Sequence, residues 1–227
     1  MKTKDLLLNG PFRCGNTYLA LCVAEAIYLN EEDPSSFKSN YHLHNHTHNA
    51  ALLKLDDPDK ETVHFVIFRN PEQIIPSLFM FHNSIDHIKT LSDKDIKDSI
   101  LNVCSEYNQY LRNQIRYGYA TVILFDDIVS NIDPIVKKIL KSVGIEYKNS
   151  IDIEKIKEDL LIMDSSIYKD SEDFYRNYHL PREEKYPEIK NKVFNIFKEL
   201  PEFKILMDQY LEIEKRAKEL TPLTISN

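Results

Sequence analysis

Residues 62–68 read TVHFVIF, and from Phe65 to Phe68 the run is apolar without a break. A strand turns successive side chains to opposite faces, so an unbroken apolar run is buried on both. Burial on both faces is characteristic of parallel strands covered by helices. DLLLNG at 5–10 and ATVILF at 120–125 have the same character. Each is followed by a helix-length segment: TYLALCVAEAIYL, PEQIIPSLFMFH, and then helices near 131–142 and 152–163. This alternation predicts an α/β fold, a parallel β-sheet flanked by helices in three layers, α/β/α. Residues 91–117 read as a long polar-faced helix, and two amphipathic helices near 187–199 and 202–219 close the chain. YHLHNHTH alternates and reads as a strand, while 31–40 and 164–187 read as irregular. With 227 residues and neither repeat nor linker, a single domain over 1–227 is expected, with a core of about 5–145 and a helical part of about 150–219.

Composition narrows the function classes. The net charge of −7 argues against general binding to nucleic acid or anionic membranes, and leaves room for a local basic pocket. No apolar run approaches the ~20 residues that span a bilayer, and the start MKTKDLLLNG lacks the apolar core of a secretion signal. Cys14, Cys22 and Cys104 form no paired spacing, so a reducing, cytoplasmic setting is expected.

Two of the four glycines, Gly10 and Gly15, bound a single loop between the first strand and its helix, GPFRCGNT. A loop at this junction aims backbone N–H groups and a helix N-terminus at an anion. The spacing is that of a phosphate loop, with Asn16 where a nucleoside-triphosphate site carries lysine. Arg13 supplies the cation on the other side of Gly15, and Thr17 a hydroxyl. Arg69 ends the TVHFVIF strand and Ser77 follows eight residues later on the next helix. The C-terminal ends of parallel strands share one rim, so Arg69 and Ser77 form a second anion site beside the first. Asn70 and Pro71 start that helix as N-cap and first helical residue.

These segments resemble the PAPS-dependent sulfotransferases. RCGNTYL is similar to that family's loop around the 5′-phosphosulfate of 3′-phosphoadenosine 5′-phosphosulfate (PAPS), and VIFRNPEQIIPSLFMFH to its strand–RNP–helix segment. VILFDDIVSNIDPIVKKILKSVGI resembles a third segment, so the likeness spans residues 5–145. The resemblance implies a P-loop-like fold, PAPS as donor, and Arg69 and Ser77 on its 3′-phosphate. It implies Arg13 at the bridging oxygen, with Cys14, Gly15, Asn16 and Thr17 lining the 5′ side. Tyr18 and Phe125 stand where the family's aromatics pack on adenine. Arg176, His179 and Arg182 are candidates for completing the pocket, since the family's closing R-K-G segment is missing.

His42, His44, His46 and His48 share one face of the alternating run. A metal site, a solvated polar face and a catalytic base all fit that pattern. The resemblance favours His48 as general base, 21 residues before Arg69, with His46 second. No metal is expected, and Asp126 and Asp127 read as a structural cap. The expected function is sulfuryl transfer from PAPS to a hydroxyl or amine on a small-molecule or carbohydrate acceptor. The alternatives are a phosphate-loop kinase or hydrolase and a nucleotide-binding module without catalysis.

Overall fold

The central strand is Thr62–Phe68, here β3, which pairs in parallel with Asp5–Asn9 (β1) on one side and Thr121–Leu124 (β4) on the other. A two-residue strand, His46–Thr47 (β2), pairs in parallel with β1 at the edge, so the order is β2-β1-β3-β4. The computed structural model describes residues 5–30, 46–54, 62–83, 85–167 and 187–219. The register aligns Asn9 with Thr47 and Val66, and Phe68 with Leu124. The C-terminal ends of β1, β2 and β3 therefore open onto a common rim.

The remaining elements are helices: α1 (Asn16–Asn30), α2 (Pro71–His82), α3 (Ile85–Thr90), α4 (Asp93–Tyr117), α5 (Phe125–Ser130), α6 (Asp133–Val143), α7 (Ile153–Ile167), α8 (Pro187–Lys198) and α9 (Pro201–Glu219). They sort into two packing groups. α1 packs on α6 and α7; α4 packs on α2, α8, α9 and a 3₁₀ turn at Ala50–Lys54. Phe65, Val66, Ile67 and Phe68 are all at most 1% exposed, which gives both faces of β3 to the core. An α/β protein with a parallel sheet is the result.

Local chemistry places the elements that carry the site. Asn70 caps α2 by accepting from Glu72 N at 2.9 Å, and Pro71 opens the helix at the position where its missing N–H costs nothing. Ser92 and Asp95 form a reciprocal capping box at the start of α4. Two short elements were not foreseen. The 3₁₀ turn buries Leu53 completely and is held to α4 by Asn113 Nδ2 donating to Ala50 O at 2.8 Å. The six-residue α3 buries Ile88 in a polar surface stretch, too little periodicity to read. Phe125 was read as the end of a strand and instead begins α5.

Among the described residues, no helix is long and apolar enough to cross a membrane.

Candidate functional site

The loop from Gly10 to Gly15 is anchored at its base by Asn9. This side chain is fully buried; its Oδ1 accepts from Gly10 N at 2.8 Å and its Nδ2 donates to Asn49 O at 3.0 Å. One residue thereby ties the loop to the segment after β2. Arg13 (φ 66°) and Gly15 (φ 81°) both adopt the left-handed region. Glycine does so freely, whereas arginine pays roughly 1 kcal/mol or more. Alternating handedness turns successive backbone N–H groups toward one concavity, the geometry that binds anions. The loop feeds into α1, whose first-turn amides at Asn16, Thr17 and Tyr18 have no carbonyl partner one turn earlier; Leu19 N is the first to find one, on Gly15 O at 3.0 Å.

Asn16 explains how the loop does without lysine. Its side chain is 3% exposed and folds back into the loop, with Nδ2 donating to Gly10 O at 3.1 Å and Pro11 O at 3.0 Å. Both amide hydrogens are spent on these carbonyls. The residue shapes the loop from within, which leaves its backbone N–H as the group it could offer an anion. Gly10 is required for the fit: a Cβ there would meet Asn16 Oδ1 at 2.7 Å and Ile67 O at 3.0 Å.

His48 follows β2 and lies against the same carbonyl. Its Nδ1 is 2.8 Å from Gly10 O and 3.2 Å from Asn16 Nδ2. A carbonyl only accepts and the asparagine hydrogens are already committed, so Nδ1 carries the proton and donates to Gly10 O. In the neutral ring the lone pair is then on Nε2. Burial pushes His48 below the usual imidazole range, and the bond to Gly10 O and the charge of Glu106 pull it part of the way back. A neutral imidazole with a defined tautomer is the form a general base requires. Phe12 stacks on the ring at 3.9 Å between centroids and on Phe81 at 5.2 Å.

Arg69 is at the end of β3 as expected of the rim. Its Nη1 donates to Arg13 O at 3.1 Å, its Nε donates to Gln73 Oε1 at 3.1 Å, and its guanidinium lies 4.3 Å over the Phe125 ring. Its own carbonyl accepts from the Tyr107 hydroxyl, which fastens the strand end to α4. Arg13 reaches across in turn, with Nε 3.4 Å from Ser77 Oγ. The two anion groups read from sequence thus touch: Arg13, assigned to the 5′ side, contacts Ser77, assigned to the 3′ side. The Arg13 side chain thus reaches α2, on which Ser77 lies.

Three further candidates have buried or packed side chains. The Cys14 side chain is fully buried beneath the loop, and burial pushes its thiol up to about 12. Tyr18 does not face the rim; it is 8% exposed, hydrogen-bonds Cys22 one turn on, and feels the charge of Glu154 on α7. Phe125 serves as the platform for Arg69 and packs against Gly15, whose Cβ would fall 3.2 Å from the ring. Asp126 and Asp127 are exposed in the first turn of α5, a helix with no side-chain cap bond, and their charges help to raise the Tyr210 hydroxyl's pKa. Thr17 is in the first turn of α1, and His46 pairs with Leu8 as part of β2. His42, His44, Arg176, His179 and Arg182 lie outside the described residues.

Sequence reasoning missed Gln73, Tyr107 and Phe12. Gln73 was findable, since it is four residues from Arg69 across the strand–helix junction. Tyr107 and Phe12 carry no local signal.

No family model matches the chain, and no curated protein sequence is detectably similar to it.

Proposed function

We propose that this protein transfers a sulfuryl group from PAPS to a hydroxyl or amine acceptor, on a P-loop-like three-layer α/β/α fold. The observation that carries the reading is the convergence of Arg13, Arg69 and Ser77 with the loop amides on one rim, beside a neutral His48 held by the loop's own Gly10 carbonyl. The loop amides and Thr17 hold the 5′-phosphate. Arg69 and Ser77 hold the 3′-phosphate, and donor binding exchanges the long Arg13–Ser77 contact for phosphate oxygens. A charge-assisted bond to phosphate is shorter and stronger than a 3.4 Å contact to a hydroxyl, which favours that exchange.

In the transfer, the acceptor oxygen attacks sulfur in line while His48 Nε2 takes its proton. The bond from sulfur to the bridging oxygen breaks, and the electron pair leaves with the bisphosphate. Arg13 and the loop N–H groups stabilise the charge on that oxygen. The 3′-phosphate grip separates PAPS from ordinary nucleoside triphosphates.

Calorimetric titration with adenosine 3′,5′-bisphosphate beside ATP tests the donor. Clear preference for the bisphosphate, lost in Arg69→Ala, is expected; equal or better ATP binding refutes it. Turnover tests the chemistry. His48→Ala is expected to lose ~10²–10⁴ in rate while keeping bisphosphate affinity. A wild-type protein that binds the bisphosphate and turns over no acceptor is a binding module.

A further inference from the structure

A second basic site lies away from the loop. Lys54, Gln109, Arg112, Asn113, Arg116 and Gln209 line a cavity of ≈ 460 Å³, walled also by Ile115 and Tyr117. It is formed where the 3₁₀ turn, the last two turns of α4 and α9 meet. We infer that this cavity binds a small molecule carrying two or more phosphate or sulfate groups.

Among the described residues the lining contains three cations and no carboxylate, in a chain whose net charge is −7. Composition therefore works against such a cluster. Arg112 and Arg116 are one helical turn apart, a spacing at which like charges repel. The dipole at the end of α4 favours Arg116, in the last turn, but does not account for Arg112 or for Lys54, which comes from another element. Among the described residues none of the three is ion-paired. Nearby Arg216 is a contrast: it pairs with Glu212 and donates to Ile115 O at 3.2 Å, so its charge is used to dock α9.

The cavity is held in shape by parts that do not need the cations. Leu53 is fully buried next to Lys54, and Asn113 binds Ala50 O at 2.8 Å, so the turn that carries Lys54 is fixed against α4. Arg116 is set over the Tyr117 ring at 5.3 Å. The volume is within the ~300–1,000 Å³ range of small-molecule sites. With ammonium and guanidinium donors and the side-chain amides of Gln109 and Gln209, the lining suits an oxyanion rather than a cation or a neutral ring.

The inference does not depend on the sulfuryl-transfer reading. The full chain is titrated with inorganic pyrophosphate and, in a second arm, with a trisulfated disaccharide. The Arg112→Ala/Arg116→Ala double variant is expected to weaken binding by at least about tenfold, the loss of one or two charge-assisted bonds. Lys137→Ala, an exposed cation on α6, is expected to leave it unchanged. Lys54→Ala, on an exposed turn, repeats the test should the double variant unfold. Whichever arm binds tells phosphate from sulfate ligands. Binding that survives the groove variants, binding lost equally in Lys137→Ala, or no binding tighter than about millimolar in either arm overturns the inference.

Discussion

Gly10→Ala probes the loop where it is most crowded. The new methyl would be 2.7 Å from Asn16 Oδ1 and 3.0 Å from the main-chain oxygen of Ile67. Ile67 is fully buried in the middle of the sheet and cannot retreat. The Asn16 amide must therefore swing away, and it cannot do so while holding Gly10 O and Pro11 O. Overpacking typically costs ~1–3 kcal/mol and each lost hydrogen bond ~1 kcal/mol, so a total of roughly 2–4 kcal/mol is expected. For a chain of this size that is a Tm lower by roughly 5–15 °C. Urea unfolding of the wild type, Gly10→Ala, Asn16→Ala and the double variant forms a cycle. With the amide absent, the methyl loses its tightest contact and keeps Ile67 O at 3.0 Å, so the alanine should cost at least about 1 kcal/mol less in the Asn16→Ala background. The same variant should weaken adenosine 3′,5′-bisphosphate binding, because the backbone amides proposed to hold the 5′-phosphate move with the loop. A Gly10→Ala protein within about 0.5 kcal/mol of the wild type, or a fully additive cycle, would refute the packing argument.

Tyr107→Phe removes the donor to Arg69 O from a fully buried ring and should cost ~1–3 kcal/mol by leaving that carbonyl short of a partner; an unchanged urea midpoint argues against the fastening role. His64 on β3 is held by burial at a pKa of about 4, and its Nε2 has no partner among the described residues. Because the folded pKa is depressed, the unfolded chain takes up the proton first as pH falls. Stability should drop between about pH 6.5 and 4, by roughly 1–2 kcal/mol after allowance for its partial exposure. His64→Leu should remove that part of the slope, and parallel wild-type and variant curves contradict the assignment. With His48 below the usual imidazole range, the acid limb of kcat/KM should fall below pH 6.5, and a limb above that value argues for another base.

Much of the frame was legible because burial writes itself into composition. TVHFVIF occupies Thr62–Phe68 with no shift of boundary, and the helix at Asn70-Pro71 starts where capping chemistry requires. Gly15 and Arg69 share a rim because parallel strands end together. The roles of individual side chains were less legible. Asn16 looked like a lost lysine, and its function depends on two carbonyls five and six residues back that meet it only in the folded loop. Tyr18 and Cys14 were assigned by position in a motif, but the direction of a side chain at a helix start depends on what packs beside it, here α7 for Tyr18 and the core for Cys14.

What the residue order determined alone is the parallel α/β frame and the residue types on its rim, since periodicity, caps and glycines act through near neighbours. Tertiary structure decided that Arg13 meets Ser77, that Phe125 carries Arg69 and that His48 donates to Gly10 O. Those contacts join residues 38 to 64 positions apart, as for His48–Gly10 and Arg13–Ser77, and no local pattern encodes a direction over such a span.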